Sequence, residues 1–570
     1  MYSLGVDYGT NSVRALIVDT SNGVEIATHV YDYPSGDAGI LVDPDNPNLA
    51  RQNPADYIDG FHQSVRGAVK AAESVDGFSA DQIVGIGIDT TGSTPIPVDQ
   101  TGQPLAFDPQ FKDNLAAQAW LWKDHTSHAE ADEITQTARY RGEPYLAKCG
   151  GAYSSEWYWS IILHCMRTAP DVAAACASWV ECADFIPAYA TGNTDPKSIK
   201  RSICAAGHKA MYNADWGGLP SVGFLESLQT GLSRFRYQSP AVAVDQIAGH
   251  LSQEVAQQVG LPEGIPVAVG AFDAHLGAVG SGCREGTLVK IIGTSTCDCM
   301  VAPLATPLPD VPGLCGIVPE SILPGMYGLE AGQSAVGDIF SWFVRHICSG
   351  PDSDLDSDPD AAERDAAQQD AVHHELTQQA AKLRPGQSGL IALDWNNGNR
   401  TILADPRLTG LLVGQTLHTR REEIYRALIE ATAFGARTII GRMQEYGVQI
   451  NEVVNCGGIA EKNPLVMQIY ADVCNRPMKI SRSAQSCALG ASICGAVVGG
   501  AHSTFQSAQE SMTGVKDTVF EPITENVEIY ERLYAIYRRL HDAFGIASDL
   551  ESMASVMKDL IAIRDRVRHE

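Results

Sequence analysis

Basic residues are scarce in this 570-residue chain: 41 Lys and Arg stand against 68 Asp and Glu, a formal net charge of −27. That excludes nucleic acid and anionic membrane as general partners, because both demand a basic footprint. An acidic protein can still hold a nucleotide locally, through backbone N–H groups and a divalent cation. No apolar run reaches the length of a membrane span. The 14 cysteines are scattered and none forms a CxxC. Cys165, Cys176, Cys474 and Cys494 sit in apolar or small-residue stretches and read as buried thiols of a reducing compartment. Cys297 and Cys299 make a lone CxC without His or Cys partners nearby, which argues against a metal site there. The chain enters a strand directly, with no basic and apolar leader, so a cytoplasmic location is expected.

What is present is ordinary for a globular protein: 44% hydrophobic residues, 19% charged and 53 Gly. The length exceeds what one core can fill, so two large domains or more are expected. Strands alternate with helical spacing. "QIVGIGID" (82–89) reads as a buried strand ending at Asp89, and 55–74 reads as a helix. The pattern implies an α/β architecture. "PDSDLDSDPDAAERD" (351–365) reads as a solvated acidic loop before a helix. Tyr530, Leu533, Tyr537, Leu540 and Phe544 recur at helical spacing and read as a packing stripe.

Two stretches carry chemistry beyond their fold. "GVDYGTNSVRAL" (5–16) is strand, tight turn, strand. A hairpin turn needs Gly or Asn, but not a carboxylate at the end of the first strand or hydroxyls in the loop. It reads either as a polar turn or as a loop whose N–H groups face an anion, with Asp7 placed for its metal. "GTLVKIIGTSTCDCMVA" (286–302) repeats the design half a chain later, with Gly293-Thr294-Ser295-Thr296 in the turn. Two such hairpins suggest two related domains facing one nucleotide. "VNCGGIAEKNPLVM" (454–467) is a strand ending in Gly457-Gly458 with a helix from about Asn463, where glycines let the backbone approach a flat ligand. Asp273 in "GAFDAH" follows a strand and begins a helix, so it reads as an N-cap, a general base, or both.

Together with "GIGIDTTGSTPIPVD", "LWKDHT", "YSSEWYWSIILH", "AAGHKAMY", "GLEAGQSAVGDIFSWF", "LDWNNGNRT" and "IEATAFGART", these blocks make the chain resemble the FGGY carbohydrate kinases over nearly its whole length. The resemblance implies two actin/hexokinase-like (ribonuclease H-like) α/β domains with a central ATP and sugar cleft. It places a first domain at 1–268, a second at 269–510 and a helical segment at 511–570. It implies that Asp7 organises Mg²⁺, and that Gly9, Thr10, Asn11, Ser12 and Arg14 lie at the ATP phosphates. Gly293, Thr294 and Ser295 would serve the phosphates from the second domain. Gly337 would border the nucleotide, and Gly457, Gly458 and Asn463 would face adenosine. Asp273 would be the base. Gly92, Ser93, Trp122, Asp124, Lys209, Asp273 and Glu330 would surround the sugar, with His275 structural and His208 given no role.

Within the family, "LWKDHT", "GTSTC", "GLEAGQSAVGDI" and "LDWNNGNRT" resemble the branch that phosphorylates L-ribulose to L-ribulose 5-phosphate in L-arabinose catabolism. The glycerol-type branch carries an Arg-Glu pair after its counterpart of Asp89; here Thr90-Thr91-Gly92-Ser93 leaves room for a larger ketopentose. A kinase for D-ribulose, xylulose or ribitol is the alternative within the class. A non-catalytic ATP-binding switch is the alternative outside it. The implied partners are a ketopentose and ATP, with no nucleic acid and no membrane; a homodimer is one assembly open to such a chain.

Overall fold

The computed structural model describes residues 1–348, 359–546 and 553. The acidic segment expected to be a solvated loop lies outside the described residues as far as 358, and a helix, Pro359–Ala380, follows. Contacts divide the chain into two units, neither of them continuous. The first takes in Met1–Glu285, Cys299–Leu329 and Gln485–Gly514; the second takes in Gly286–Asp298, Glu330–Ala484 and the chain from Val515.

The first unit is built on a seven-stranded sheet. Its strands are β1 (Tyr2–Tyr8), β2 (Ser12–Asp19), β3 (Glu25–Asp32), β4 (Ile83–Thr90), β5 (Ile247–His250), β6 (Pro266–Ala268) and β7 (Ala271–Phe272). Their order is β5–β6–β4–β1–β2–β3, with β7 also beside β4. β1 runs antiparallel to β2 and parallel to β4. One face is covered by the helix Pro54–Ala72, which Asn53 caps by accepting from the Ala55 N–H at 3.1 Å, with Pro54 at the first helical position. Tyr57, Phe61, Val65, Ala68 and Ala72 recur along one side of it and join Leu4, Val6, Tyr8, Val13 and Ala15 of the sheet in one core.

The other face explains the glycines of "GVDYGT" and "GIGID". The helix Ser486–Val498 is built from small residues and lies backbone to backbone on β1 and β4. A Cβ at Gly87 would stand 1.8 Å from the Ala491 carbonyl oxygen, and one at Gly5 would stand 1.9 Å from that of Ala488. No side chain fits there, so the strands need glycine for close approach. A second core of the first unit gathers Trp120, Trp159, Trp179, Tyr158, Phe224 and Phe235.

The second unit repeats the motif. A turn joins β8 (Thr287–Ile292) to β9 (Thr296–Pro303), whose first residues belong to this unit. β10 (Glu452–Cys456) and β11 (Met478–Ser481) continue in parallel from β8, and β12 (Val515–Phe520) closes the edge antiparallel to β11. Each unit therefore pairs a hairpin with a parallel strand beside its first arm: β4 beside β1, and β10 beside β8. The long helix Arg421–Glu445 is buried along most of its length and packs against Pro464–Cys474. None of the described helices is long and apolar enough to cross a membrane. All 14 cysteines are unbridged, and Cys165, Cys176, Cys474 and Cys494 are buried.

The packing of Ser486–Val498 on the sheet generates a direct test. Gly87→Ala is expected to lower stability by about 1–3 kcal/mol or more, because overpacking there meets backbone rather than a movable side chain. Gly441→Ala, in open space within a helix, is expected to be neutral or to add up to about 1 kcal/mol from helix propensity. Thermal unfolding of the two variants checks both; a Gly87→Ala protein as stable as wild type would remove the close-contact account.

Candidate active site

Register decides the first unit's site. Asp7 of β1 and Asp89 of β4 are direct partners across a parallel pair, so their side chains share a face. On the other side of β4, Ala271 pairs with Asp89 and Phe272 with Thr90, which delivers Asp273 to the same sheet edge. Three carboxylates separated by 82 and 184 residues of chain thus meet at the ends of adjacent strands. Asp7 and Asp273 keep some exposed surface; Asp89 has none. Among the described residues no donor reaches either Asp89 oxygen, and a proton shared with Asp7 would give that side chain a hydrogen bond. Burial holds the Asp89 carboxyl well above the usual carboxylate range, and the charges of Asp7 and Asp273 push the same way. Burial also raises Asp7, against the pull of Asp89 and of Arg14, its cross-strand partner on β2.

The paired carboxylates of Asp7 and Asp89 fit a hard divalent cation, which takes oxygen ligands and keeps several waters. Asp7, the partly exposed member, could hold such a cation. Asp89, which the sequence pattern marks only as the end of a strand, stands beside it. The missing signal was the parallel pairing of positions 7 and 89, which no local spacing shows.

The turn after β1 is closed by the Gly9 N–H donating to the Ser12 carbonyl at 2.9 Å. Gln52 Nε2 donates to the Thr10 carbonyl at 2.7 Å, Trp122 Nε1 to the Thr10 hydroxyl at 3.1 Å, and Asn11 Nδ2 to the Ala38 carbonyl at 2.6 Å. The N–H groups of Thr10 and Asn11 have no partner among the described residues. A rigid turn with outward N–H groups is an anion cradle. Arg14 Nη1 donates to Gln485 Oε1 at 3.1 Å.

Asp273 is the first residue of the helix Asp273–Gly280, not its cap; Phe272 holds the cap position. One Asp273 oxygen accepts from the Ala274 N–H at 2.6 Å. A carboxylate in the first turn is favoured by the helix dipole. Lys209 ends the helix Ile203–Lys209, is 8% exposed, and sets its ammonium 5.2 Å from the Trp157 ring and 5.6 Å from that of Phe272, the residue before Asp273. His208 and His275 are buried with ring centroids 4.6 Å apart, a packing contact.

The residues expected around a sugar divide. Trp122 is partly exposed beside the turn. Asp124 has no exposed surface: it pairs with the buried Arg51 and accepts from the Ala50 N–H at 2.8 Å. It therefore anchors the segment that carries Trp122 instead of facing solvent. Ser93 is fully buried, at φ +66°, with its hydroxyl donated to the Glu156 carbonyl. Gly92 lies beside Phe272, where a Cβ would make ordinary contact at 3.7 Å.

In the second unit, the turn Gly293–Ser295 copies the first. The Gly293 N–H donates to the Ser295 carbonyl at 2.9 Å, and the N–H groups of Thr294 and Ser295 have no partner among the described residues. Val336 and Gly337 tie back to it, donating to the carbonyls of Thr294 (2.7 Å) and Gly293 (3.1 Å). Its acid is already neutralised. Lys290 Nζ reaches both oxygens of Asp298, at 2.7 and 2.6 Å, in a pair that is at most 1% exposed. Removing either partner would strand a buried charge at a cost of about 3–5 kcal/mol. This hairpin therefore offers N–H groups with its acid already paired. Gly457 sits at φ +94° where a Cβ would stand 2.5 Å from the Ile292 carbonyl oxygen, so the "CGG" turn packs on the end of β8. Gly458 opens the next short helix, and Asn463 caps the following one by accepting from the Val466 N–H at 3.2 Å. Glu330, 6% exposed, is the penultimate residue of the strand Met326–Ala331.

Comparison with known proteins identifies the family. The profile of the FGGY family of carbohydrate kinases, N-terminal domain, matches residues 2–280, and that of its C-terminal domain matches 288–498. A ribulokinase of Shouchella clausii is 41% identical over 100% of this chain and 98% of its own length. One of Halalkalibacterium halodurans is 42% identical over 99% of this chain and 97% of its own. The crystal structure of xylulose kinase from Rhodospirillum rubrum superposes with a TM-score of 0.73 at 20% identity, over 95% of this chain and 99% of that one, a likeness of fold.

Asp7→Ala is expected to weaken Mn²⁺ binding, read by water-proton relaxation, by roughly tenfold or more. An affinity equal to wild type would remove Asp7 from the metal site.

Proposed function

The chain belongs to the FGGY family of carbohydrate kinases, and from that premise we propose that it transfers the γ-phosphoryl group of ATP to L-ribulose, giving L-ribulose 5-phosphate in L-arabinose catabolism. The observation that carries the substrate is the full-length likeness to proteins named ribulokinase at about two residues in five. A cytoplasmic location and a role for Mg²⁺ are part of the same reading.

In this proposal Asp273 accepts the proton of the attacking sugar hydroxyl as the new O–P bond forms. The Ala274 N–H holds one of its oxygens, which leaves the carboxylate oriented without a flexible arm. Lys209, desolvated between two aromatic rings, donates to sugar oxygens. Trp122 forms a wall beside them, while Asp124 and Ser93 act through the backbone they fix. Glu330 accepts from sugar hydroxyls, and the backbone of Gly92 contacts the polyol. The N–H groups of Gly9–Ser12, with Arg14 nearby, take phosphate oxygens in the first unit; Gly293–Ser295 and Gly337 serve the nucleotide in the second, with Gly457, Gly458 and Asn463 at adenosine. Mg²⁺, when bound through Asp7, supplies charge neutralisation at the phosphates. Catalysis is then mostly positioning and electrostatics, as phosphoryl transfer requires.

Asp273→Asn keeps the shape and removes the basicity. Its kcat is expected to fall by about two to four orders of magnitude with KM for ATP little changed; a variant keeping a tenth of wild-type kcat would exclude Asp273 as the base. The substrate is tested by coupled ADP release across L-ribulose, D-ribulose, L-xylulose, D-xylulose, ribitol and glycerol. The highest kcat/KM is expected with L-ribulose. A clear preference for another acceptor would reassign the substrate, and sugar-independent hydrolysis alone would favour a switch protein.

A further inference from the structure

The helix Thr524–Gly545 lies beyond the part of the chain matched by the family profiles. Its buried stripe is Tyr530, Tyr537 and His541, with Tyr534 beside them; of the expected packing stripe, Tyr530 and Tyr537 are buried and Leu533, Leu540 and Phe544 are only half-buried. A tyrosine stripe brings hydroxyls into the core, and each buried hydroxyl needs a partner. Those of Tyr530 and Tyr537 go to different places.

The Tyr537 hydroxyl donates to Asp394 Oδ1 at 2.9 Å. Asp394 Oδ2 accepts from Gln333 Nε2 at 2.8 Å, and the same nitrogen donates to the Thr432 carbonyl at 2.8 Å. Both amide donors being engaged, the Gln333 side chain has one orientation. Its backbone pairs with Thr296 in both directions: the Gln333 N–H donates to the Thr296 hydroxyl at 2.9 Å, and the Thr296 N–H donates to the Gln333 carbonyl at 3.1 Å. Thr296 is the residue that ends the turn Gly293–Ser295. Two more bonds reach the same place from "LDWNNGNRT". Arg400 Nη2 donates to the Thr296 carbonyl at 2.5 Å, and the Thr401 hydroxyl accepts from the Gly332 N–H at 3.1 Å. Burial lifts the Asp394 carboxyl to about 6, with the Gln333 and Tyr537 bonds pulling it back down. At neutral pH it is therefore ionised and accepts from both donors.

Tyr530 is the contrast. Its hydroxyl donates to Glu430 at 2.8 Å and accepts from Arg426 Nη2 at 2.9 Å, a network that ends in the helix Arg421–Glu445 and not in the turn.

We propose that Tyr537, Asp394 and Gln333 are positioning residues for the second phosphate turn, through which the C-terminal helix fixes Thr296 and with it the N–H groups of Thr294 and Ser295. The inference rests on the reading of that turn as a nucleotide site. It explains why the "LDWNNGNRT" segment carries Asp394 and Arg400 at a distance from any phosphate-binding signature in the sequence.

The full-length protein tests it through two hydroxyl deletions from one helix, Tyr537→Phe and Tyr530→Phe. Thermal unfolding without nucleotide and calorimetric titration with ADP plus Mg²⁺ are measured on each. Both variants are expected to lose stability to a similar degree. Only Tyr537→Phe is expected to weaken ADP binding, by roughly three- to thirtyfold, with KM for the sugar unchanged. Asp394→Asn, which keeps the shape, is expected to weaken ADP binding in the same way and serves if Tyr537→Phe does not fold. Equal effects of the two tyrosine variants on ADP affinity, or none from either, would overturn the proposal. Wild-type protein that binds no ADP would overturn the nucleotide reading itself, and this inference with it.

Discussion

The parallel pairing of β1 with β4, and of β4 with β7, is the constraint on which the first unit's chemistry depends. It aligns Asp7 with Asp89 and brings Asp273 to the same edge. Parallel strands align like ends, so each carboxylate that closes a strand lands beside the others. The cost is buried carboxyls: burial raises both Asp7 and Asp89, and at Asp89 the charges of Asp7 and Asp273 add to it. Such an arrangement is stable where a cation or a shared proton relieves it.

The same pairing needs flat backbone. Helix Ser486–Val498 presses its own backbone against Gly5 and Gly87, a fit that no side chain survives. The strands that hold the acids are thus fixed from behind by a segment more than two hundred residues distant from Asp273. The Pro54–Ala72 face is a conventional apolar core, tolerant of exchange; the glycine face is not.

The second hairpin solves a different problem with a similar turn. Lys290 and Asp298 cancel one another inside it, so it presents N–H groups without a competing carboxylate. Its rigidity comes from outside: Val336 and Gly337 hold the turn's carbonyls, and Arg400 and Gln333 hold Thr296. The two hairpins differ in charge as well as in position.

By itself, the sequence determined the α/β class, the two hairpins with their turns, and the strand-to-helix junctions at Asp273 and Gly457. Each is local: periodicity, turn residues and glycine placement act within a dozen residues. It did not separate exposed from buried at single positions. Asp124 and Ser93 looked like ligand groups and are tied into protein by Arg51, the Ala50 N–H and the Glu156 carbonyl. Tyr537 looked like packing and carries a hydrogen bond to Asp394. Asp89 looked like the end of a strand and stands against Asp7. Only tertiary structure decided these, because each depends on a partner from 63 (Ser93 to Glu156) to 143 (Tyr537 to Asp394) residues away in the sequence. No pattern within one segment encodes which strand will lie beside it, or which carbonyl will claim its hydroxyl.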